Sequence, residues 1–230
     1  MTTTTLEHAG PLNAIIDVDV AQRAGWTPVD LASAYINGGA RFLQIRAKSL
    51  SGAAFLDLTS RICAIAHPAG ALVVVNDRVD IGRIAGADGV LVGQDDLAPA
   101  AVRTLIGPAA IVGLSTHTEP QIDAALSQPV TYVAVGPIFG TSTKATGYTA
   151  VGLDRVRYAA GATRAGRAGG AGTASSYGLV AIGGITLDRA AEVIEAGATA
   201  VAVITDLIAS GDPEGRVRVY LARLGERAKV

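Results

Sequence analysis

The feature that most constrains the fold of this chain is a regular alternation between short apolar runs and stretches of helical length. Eight apolar runs, each four to six residues long, are built mainly from Val, Ile, Leu and Ala. They lie at 13–17, 40–45, 71–75, 89–92, 110–113, 132–135, 179–182 and 200–204. Strands that alternate with helical patterns indicate βαβ units and a parallel sheet, in which each strand is buried on both faces.

The stretches between these runs predict helices at 28–37, 52–67, 98–106, 119–127, 187–196 and 213–227. Eight strand–helix units in 230 residues favour a closed barrel over an open doubly wound sheet. We therefore predict a single (β/α)8 TIM barrel domain over residues 1–230. One segment interrupts the rhythm: residues 161–178 are rich in Gly, Ala, Ser and Arg, which predicts a flexible surface insertion.

Composition excludes several classes of function. The formal net charge is −1, which argues against a general nucleic-acid or membrane-surface protein. No apolar run approaches the ~18 residues of a spanning helix, and the N-terminus lacks the pattern of a secretion signal. Cys63 is the only cysteine, which excludes internal disulfides. We expect a cytoplasmic protein that acts on small molecules, and leave open whether it is a homo-oligomer.

Polar side chains follow the second predicted strand, where a barrel places its active face. Because side chains alternate along a strand, Gln44, Arg46 and Lys48 are predicted to share one side. Arg offers a planar fork of donors for phosphate oxygens, and Lys offers a mobile point charge. This arrangement predicts an anion site. The alternative is a solvated strand end, which commonly carries the same residue types.

Carboxylates follow the third and fourth predicted strands. Asp77 comes after Asn76, and Asp95 and Asp96 follow Gln94. Magnesium is usually held by one or two carboxylates together with phosphates and waters, so Asp77 and one of the later pair are candidate ligands. Either Asp95 or Asp96 can instead cap the following helix, and the spacing does not decide between them.

Three further clusters suit phosphate. Thr141, Thr143 and Lys144 offer hydroxyls and a charge in a Gly- and Pro-containing loop. Gly183 and Gly184 precede a predicted helix, whose N-terminus attracts anions. The third cluster is Ile204 and Thr205, at the end of the eighth predicted strand beside that helix. Phosphate sites after the seventh and eighth strands recur in barrels, although a Gly pair also serves close strand–helix packing.

Taken in order, these segments resemble the thiamine phosphate synthase family across residues 40–213, apart from the insertion. The motifs are QIRAK, VNDRVDI, GADGVLVGQDDL, GLSTH, VAVGPIFGTSTK, AIGGIT and AVAVITDLIASGDP. The resemblance implies a (β/α)8 barrel that uses Mg²⁺. It also implies an enzyme that joins 4-amino-2-methyl-5-hydroxymethylpyrimidine diphosphate to thiazole phosphate, giving thiamine phosphate and pyrophosphate.

The resemblance also implies roles for individual residues. The pyrimidine diphosphate would contact Gln44, Arg46, Lys48, Asn76, Ser115 and Lys144, among which Arg46, Lys48, Ser115 and Lys144 are the predicted catalytic residues. Magnesium would bind Asp77 and Asp96, which decides the choice between the two later aspartates. The thiazole phosphate would contact Thr141, Ser142, Thr143, Gly184, Ile204 and Thr205.

Leu91 departs from the family pattern, which usually has His there, and Thr205 stands where Ser is common. The implied mechanism is a dissociative substitution: the aminopyrimidine carries the positive charge as pyrophosphate leaves, so no protein nucleophile is needed. His117 is expected to pack at a helix start rather than act in catalysis. Two alternatives stay open, a thiazole tautomerase-like relative and a non-catalytic barrel that binds a phosphorylated ligand.

Overall fold

Eight parallel strands pair in chain order and close into a barrel in the computed structural model, which describes residues 6, 9–140, 149–169 and 178–225. The strands are β1 Leu12–Asp17, β2 Phe42–Arg46, β3 Leu72–Asn76, β4 Gly89–Val92, β5 Ile111–Thr116, β6 Tyr132–Val135, β7 Gly178–Ile182 and β8 Ala200–Val203. Pairing of β1 with β8 completes the ring. The predicted (β/α)8 TIM barrel is confirmed.

Helices connect the strands on the outside of the barrel. In chain order they are α1 Val18–Arg23, α2 Pro28–Asn37, α3 Gly52–Ala66, α4 Val79–Ala85, α5 Pro99–Ile106, α6 Glu119–Leu126, α7 Gly152–Gly169, α8 Leu187–Glu195 and α9 Pro213–Gly225. Six agree with the sequence prediction to within two residues at either end, whereas α1, α4 and α7 were not predicted. Within the described residues, no helix has both the length and the apolar character needed to cross a membrane.

The predicted insertion at 161–178 is wrong in its first half, because residues 161–169 continue helix α7. Over residues 159–164, small side chains form the buried face of this helix. Ala160 is 2 % exposed, and a Cβ on Gly197 would overlap its methyl group, so the helix packs closely on the turn after α8. A face made of Ala and Thr shows no apolar stripe in the sequence. Residues 170–177 lie outside the described residues.

Apolar side chains fill both the space between strands and helices and the inside of the barrel. Inside, the rings of Phe42 and Tyr132 meet edge to face with centroids 6.0 Å apart. A Cβ on Gly113 would overlap the Tyr132 ring, so the glycine lets this ring lie across the interior. These rings belong to the interior cluster that lies below the polar strand ends.

Candidate active site

A cavity of about 640 Å³ extends from the barrel interior to the carboxyl ends of the strands, and all eight strands contribute to its wall. Seven of the predicted site residues line it: Gln44, Arg46, Asn76, Ser115, Gly184, Ile204 and Thr205. The structure therefore brings together residues from five strand ends that are up to 161 positions apart in the chain. Thr141, Ser142, Thr143 and Lys144 lie outside the described residues.

Arg46 is held in the cavity wall by a carboxylate that was not singled out in the sequence. Its Nη1 lies 2.5 Å from Oδ2 of Asp17, whose side chain is only 2 % exposed. The two residues are register partners on β1 and β2, and Asp17 also accepts a hydrogen bond from the backbone N–H of Val20 at the start of α1. The Nε of Arg46 is buried and has no hydrogen-bond partner among the described residues. A fixed guanidinium thus keeps one donor for a ligand.

A chain of three buried amides runs along the same side of the cavity. Asn13 donates through Nδ2 to Oε1 of Gln44 at 3.4 Å, and Gln44 donates through Nε2 to Oδ1 of Asn76 at 3.4 Å. Asn13 is fully buried, and its Oδ1 has no partner within the part of the chain that the structure describes. These two hydrogen bonds fix the orientation of the Gln44 side-chain amide. Asn13 was not predicted as a site residue, although the alternation of side chains along β1 could have indicated it.

Asp77 has the one non-glycine backbone with a positive φ among the described residues, at 65°. Its N–H donates to the carbonyl of Leu91 on β4 at 2.8 Å, which fixes the turn after β3. Its carboxylate forms an ion pair with Lys48. Residues held in this strained region cost about 1–3 kcal/mol and often occur at functional sites.

Lys48 does not line the cavity, and its side chain is 56 % exposed. Strand β2 ends at Arg46, so the alternation that predicted a shared side for Gln44, Arg46 and Lys48 does not extend to Lys48. Its ammonium is held outside the cavity lining by the ion pair with Asp77.

Asp96 accepts a hydrogen bond from the backbone N–H of Gly93 at 2.7 Å through Oδ2. Helix α5 begins after Ala98 without a side-chain cap, so the capping alternative for Asp95 and Asp96 is wrong. Asp77 and Asp96 follow neighbouring strands and offer hard carboxylate oxygens. The described residues contain no cluster of three or more metal-binding side chains, but magnesium needs only one or two carboxylates when phosphates and waters complete its shell. The donor set fits this ion.

On the opposite side of the cavity, the turn after β7 has an open backbone. Gly183 and Gly184 have φ of 101° and 64°, and a Cβ on Gly184 would overlap the carbonyl of Gly140. Glycine is therefore required here for two turns to approach each other. Arg189, in the first turn of α8, lies over the ring of Phe139 at 4.6 Å and lines the cavity. Neither Arg189 nor its neighbour Asp188 was predicted as a site residue.

His117 lines the cavity, which the sequence prediction of helix-start packing did not include. Nδ1 of its ring lies 2.5 Å from the carbonyl oxygen of Gly136. Its backbone N–H donates a hydrogen bond to Oε1 of Gln121 at the start of α6. Leu91 also lines the cavity and is 7 % exposed, so the wall is apolar where the family pattern has an imidazole. Burial raises the pKa of the Cys63 thiol to about 12, which excludes it as a nucleophile at neutral pH.

The family sequence model described as thiamine monophosphate synthase matches residues 15–207. The chain belongs to this family. A thiamine-phosphate synthase of Chlorobium luteolum is 36 % identical over 215 residues, covering 94 % of this chain and 93 % of the relative. Another, from Anaeromyxobacter dehalogenans, is 42 % identical over 190 residues, covering 83 % and 80 %.

The fold agrees with a solved structure as well. A thiamine phosphate pyrophosphorylase from Pyrococcus furiosus superimposes with a TM-score of 0.81 at 23 % identity, covering 96 % of this chain and 98 % of that one. At this identity the likeness shows the barrel fold alone. The matched region of the family includes the second half of β1 and all of β2 to β8, the strands that line the cavity.

Proposed function

We propose that the chain is a thiamine-phosphate synthase that couples 4-amino-2-methyl-5-hydroxymethylpyrimidine diphosphate to thiazole phosphate and releases pyrophosphate. The observation that carries this proposal is the family match over residues 15–207, in a barrel whose family motifs end at one cavity. Its partners are these two small molecules. A cytoplasmic location remains a prediction from the sequence.

The diphosphate binds at the side of the cavity formed by β2, β3 and β5. Arg46 donates from Nε, which is buried and unpartnered among the described residues, and Ser115 contributes its hydroxyl. Gln44 and Asn76, joined by a hydrogen bond, contact the pyrimidine end. Lys48 reaches the outer phosphate from the rim, and Lys144 is the further cation that the family motif supplies.

Charge balance supports a metal in this reaction. Arg46 is paired with Asp17 and Lys48 with Asp77, so two of the three predicted cations are already compensated by carboxylates. Asp77 and Asp96 would hold Mg²⁺ with the diphosphate oxygens. When bound, the ion neutralises charge on the leaving pyrophosphate. Lys48 then turns from the Asp77 carboxylate toward a phosphate oxygen.

The thiazole phosphate binds across the cavity, at the turns that follow β7 and β8. Gly184 opens the backbone toward an anion, and Ile204 and Thr205 border the same space. Thr141, Ser142 and Thr143 complete this site by family resemblance. The two phosphates would thereby be kept on opposite sides of the barrel, with the reacting carbon and nitrogen between them.

The protein needs no nucleophile for this chemistry. As the C–O bond to the diphosphate breaks, the electron-rich aminopyrimidine carries positive charge on its methylene carbon, and the thiazole nitrogen then forms the new C–N bond. Arg46, Lys48, Ser115 and Lys144 stabilise the departing anion, which is the largest charge that develops. The apolar wall at Leu91 and Ile15 keeps water from the methylene carbon.

The test is release of pyrophosphate from the pyrimidine diphosphate, with and without thiazole phosphate, in magnesium and then in a chelator. We expect release only when thiazole phosphate and magnesium are both present. Asp77→Ala and Lys144→Ala should each lower the rate by about 100-fold or more while the protein stays folded, because removing one preorganised charge-stabilising group costs about 10²–10³ in rate. Normal turnover in both variants would contradict the site assignment.

The two alternatives give different results in the same assay. A tautomerase-like relative would isomerise the thiazole and release no pyrophosphate under any condition. A non-catalytic barrel would bind the pyrimidine diphosphate in calorimetry and show no turnover with magnesium present. Well-folded protein that releases no pyrophosphate would therefore reject the synthase.

A further inference from the structure

The carboxylate of Asp206 is the centre of a compact cluster at the edge of the cavity. Its Oδ2 accepts hydrogen bonds from the backbone N–H of Leu187 at 3.1 Å, from Nη2 of Arg216 at 2.7 Å and from the hydroxyl of Tyr220 at 2.5 Å. Nε of Arg216 also donates to the backbone carbonyl of Asp206 at 3.2 Å. The side chain of Asp206 is 17 % exposed, so most of it is shielded from solvent.

These contacts join two turns that both border the cavity. Asp206 directly follows Thr205 at the end of β8, and Leu187 is the first residue of α8, three positions after Gly184. One carboxylate therefore holds the turn after β7 against the turn after β8. Arg216 and Tyr220 come from α9, on the outside of the barrel, and hold the carboxylate from behind.

The position of this carboxylate raises an electrostatic problem. Asp206 lines the same cavity as Gly184 and Thr205, so an uncompensated negative charge here would repel a phosphate at those turns. Arg216 supplies the compensating charge through its ion pair with Asp206. Tyr220 supplies a hydrogen bond without charge, because burial and the neighbouring Asp206 raise the pKa of its hydroxyl well above the ordinary value.

We propose that Asp206 is a positioning residue for the thiazole phosphate site, and that Arg216 is required to neutralise it. The carboxylate sets the distance between the two phosphate-binding turns, and the guanidinium removes the repulsion that this carboxylate would otherwise exert. The inference rests on the proposed function for the identity of the phosphate ligand. It differs from the anion contacts proposed above, because neither side chain is expected to touch the substrate.

The first experiment measures steady-state kinetics of the Arg216→Met variant, which keeps a long apolar side chain and removes the charge. We expect KM for thiazole phosphate to rise by about 10-fold or more, because the carboxylate of Asp206 would keep its charge near the phosphate without the compensating guanidinium. The KM for the pyrimidine diphosphate should change less than about twofold, because this substrate binds across the cavity, where distance and screening weaken the effect of the Asp206 charge.

Salt dependence separates repulsion from simple loss of structure. Asp206 is shielded but still 17 % exposed, so salt should screen its repulsion in part, and the ratio of the variant's KM to the wild-type KM should fall as ionic strength is raised from about 0.05 to 0.5 M. The double variant Asp206→Asn with Arg216→Met carries neither charge. Its KM for thiazole phosphate should be lower than that of Arg216→Met alone, a rescue that damage to the fold would not produce.

A matched control is available on the same helix. Arg218 lies two residues from Arg216, is ion-paired with Glu214 and has a side chain that is 60 % exposed. Arg218→Met should leave both KM values unchanged. If Arg216→Met does not fold, Tyr220→Phe removes one hydrogen bond to Asp206 without changing charge. It should then raise KM for thiazole phosphate by about 2- to 10-fold, with no salt dependence of the ratio.

The outcomes are distinct. Wild-type protein without turnover would reject the proposed function. The inference is then tested by calorimetry, which compares the affinities of the wild type and the same variants for thiazole phosphate and for inorganic phosphate. Wild-type turnover with an unchanged KM in Arg216→Met would overturn the inference alone. So would an equal rise in both KM values, or a double variant no better than the single one.

Discussion

Single residues of the candidate site show a consistent pairing of charges. Arg46 is held by Asp17, Lys48 by Asp77 and Asp206 by Arg216. A buried or half-buried charge is costly unless it is paired, so each pair makes a charged side chain tolerable at the cavity. The pairs of Arg46 with Asp17 and of Asp206 with Arg216 also fix the position of these side chains before any ligand arrives, which lowers the entropy cost of binding.

Tyr132 illustrates the cost in stability of a buried polar group without a hydrogen-bond partner. Its hydroxyl is fully buried and has no hydrogen-bond partner among the described residues, and burial raises its pKa. A buried, unsatisfied hydroxyl costs about 1–3 kcal/mol. We expect Tyr132→Phe to raise the free energy of unfolding by about 1 kcal/mol, measured by urea denaturation.

Tyr220→Phe is the matched control for that prediction, because its hydroxyl donates to Asp206. Removing this hydroxyl should lower the free energy of unfolding by about 1–2 kcal/mol, since an acceptor loses its partner. Equal losses in the two variants would mean that the Tyr132 hydroxyl has a partner in solution.

Sequence alternation predicted the inward direction of Gln44 and Arg46 because both lie within a strand. The same rule applied to β1 indicates that Asn13 and Asp17 point inward. It does not indicate that Asp17 pairs with Arg46, because that contact depends on the register between β1 and β2. Lys48 shows the limit of the rule, because periodicity ends with the strand. The contacts of Asp206 join positions up to 19 residues apart through three elements, and local patterns do not contain them.

At the level of elements, strands were predicted more completely than helices, because all eight strands were expected but three of the nine described helices were not. A strand buried on both faces is a continuous apolar run, so β4 and β6 have the predicted bounds. Helices α1 and α4 have only six and seven residues, which is too short for a helical period to be recognised. Helix α7 was not predicted, because after Val156 its buried side chains are the small ones of Ala159, Ala160 and Thr163.

Gly161 tests this correction of α7. It lies inside the helix, and a Cβ placed on it meets no atom within 4 Å. Replacing Gly by Ala in a helix interior is favourable by about 1 kcal/mol. We expect Gly161→Ala to raise the free energy of unfolding by about 0.5–1 kcal/mol in chemical denaturation.

Gly70 provides the control with the opposite sign. A Cβ on Gly70 also meets no atom within 4 Å, but its φ is 70°, in the left-handed region. Gly70→Ala should therefore lower the free energy of unfolding by about 1 kcal/mol. No gain from Gly161→Ala would mean that this part of α7 is not helical in solution.

At the scale of the whole molecule, the closed barrel makes one cavity out of turns that are distant in the chain. Each proposed ligand contacts turns after several strands, so its binding should stabilise the barrel as a unit. A ligand at 100 times its Kd adds about 2.7 kcal/mol to the free energy of unfolding. The two sides of the cavity should respond differently to metal, because Asp77 and Asp96 follow β3 and β4 whereas Gly184 and Thr205 follow β7 and β8.

Thermal unfolding measures this difference. We expect pyrophosphate, the proposed product, to raise Tm by several degrees in magnesium and by much less in a chelator, because the proposed ligands Asp77 and Asp96 would hold it through the ion. Thiazole phosphate should raise Tm in both conditions, because its turns contain backbone donors and hydroxyls. In Asp77→Asn, pyrophosphate should lose its magnesium-dependent effect while thiazole phosphate keeps its own. An equal response of both ligands to the chelator would mean that Asp77 and Asp96 are not the metal ligands.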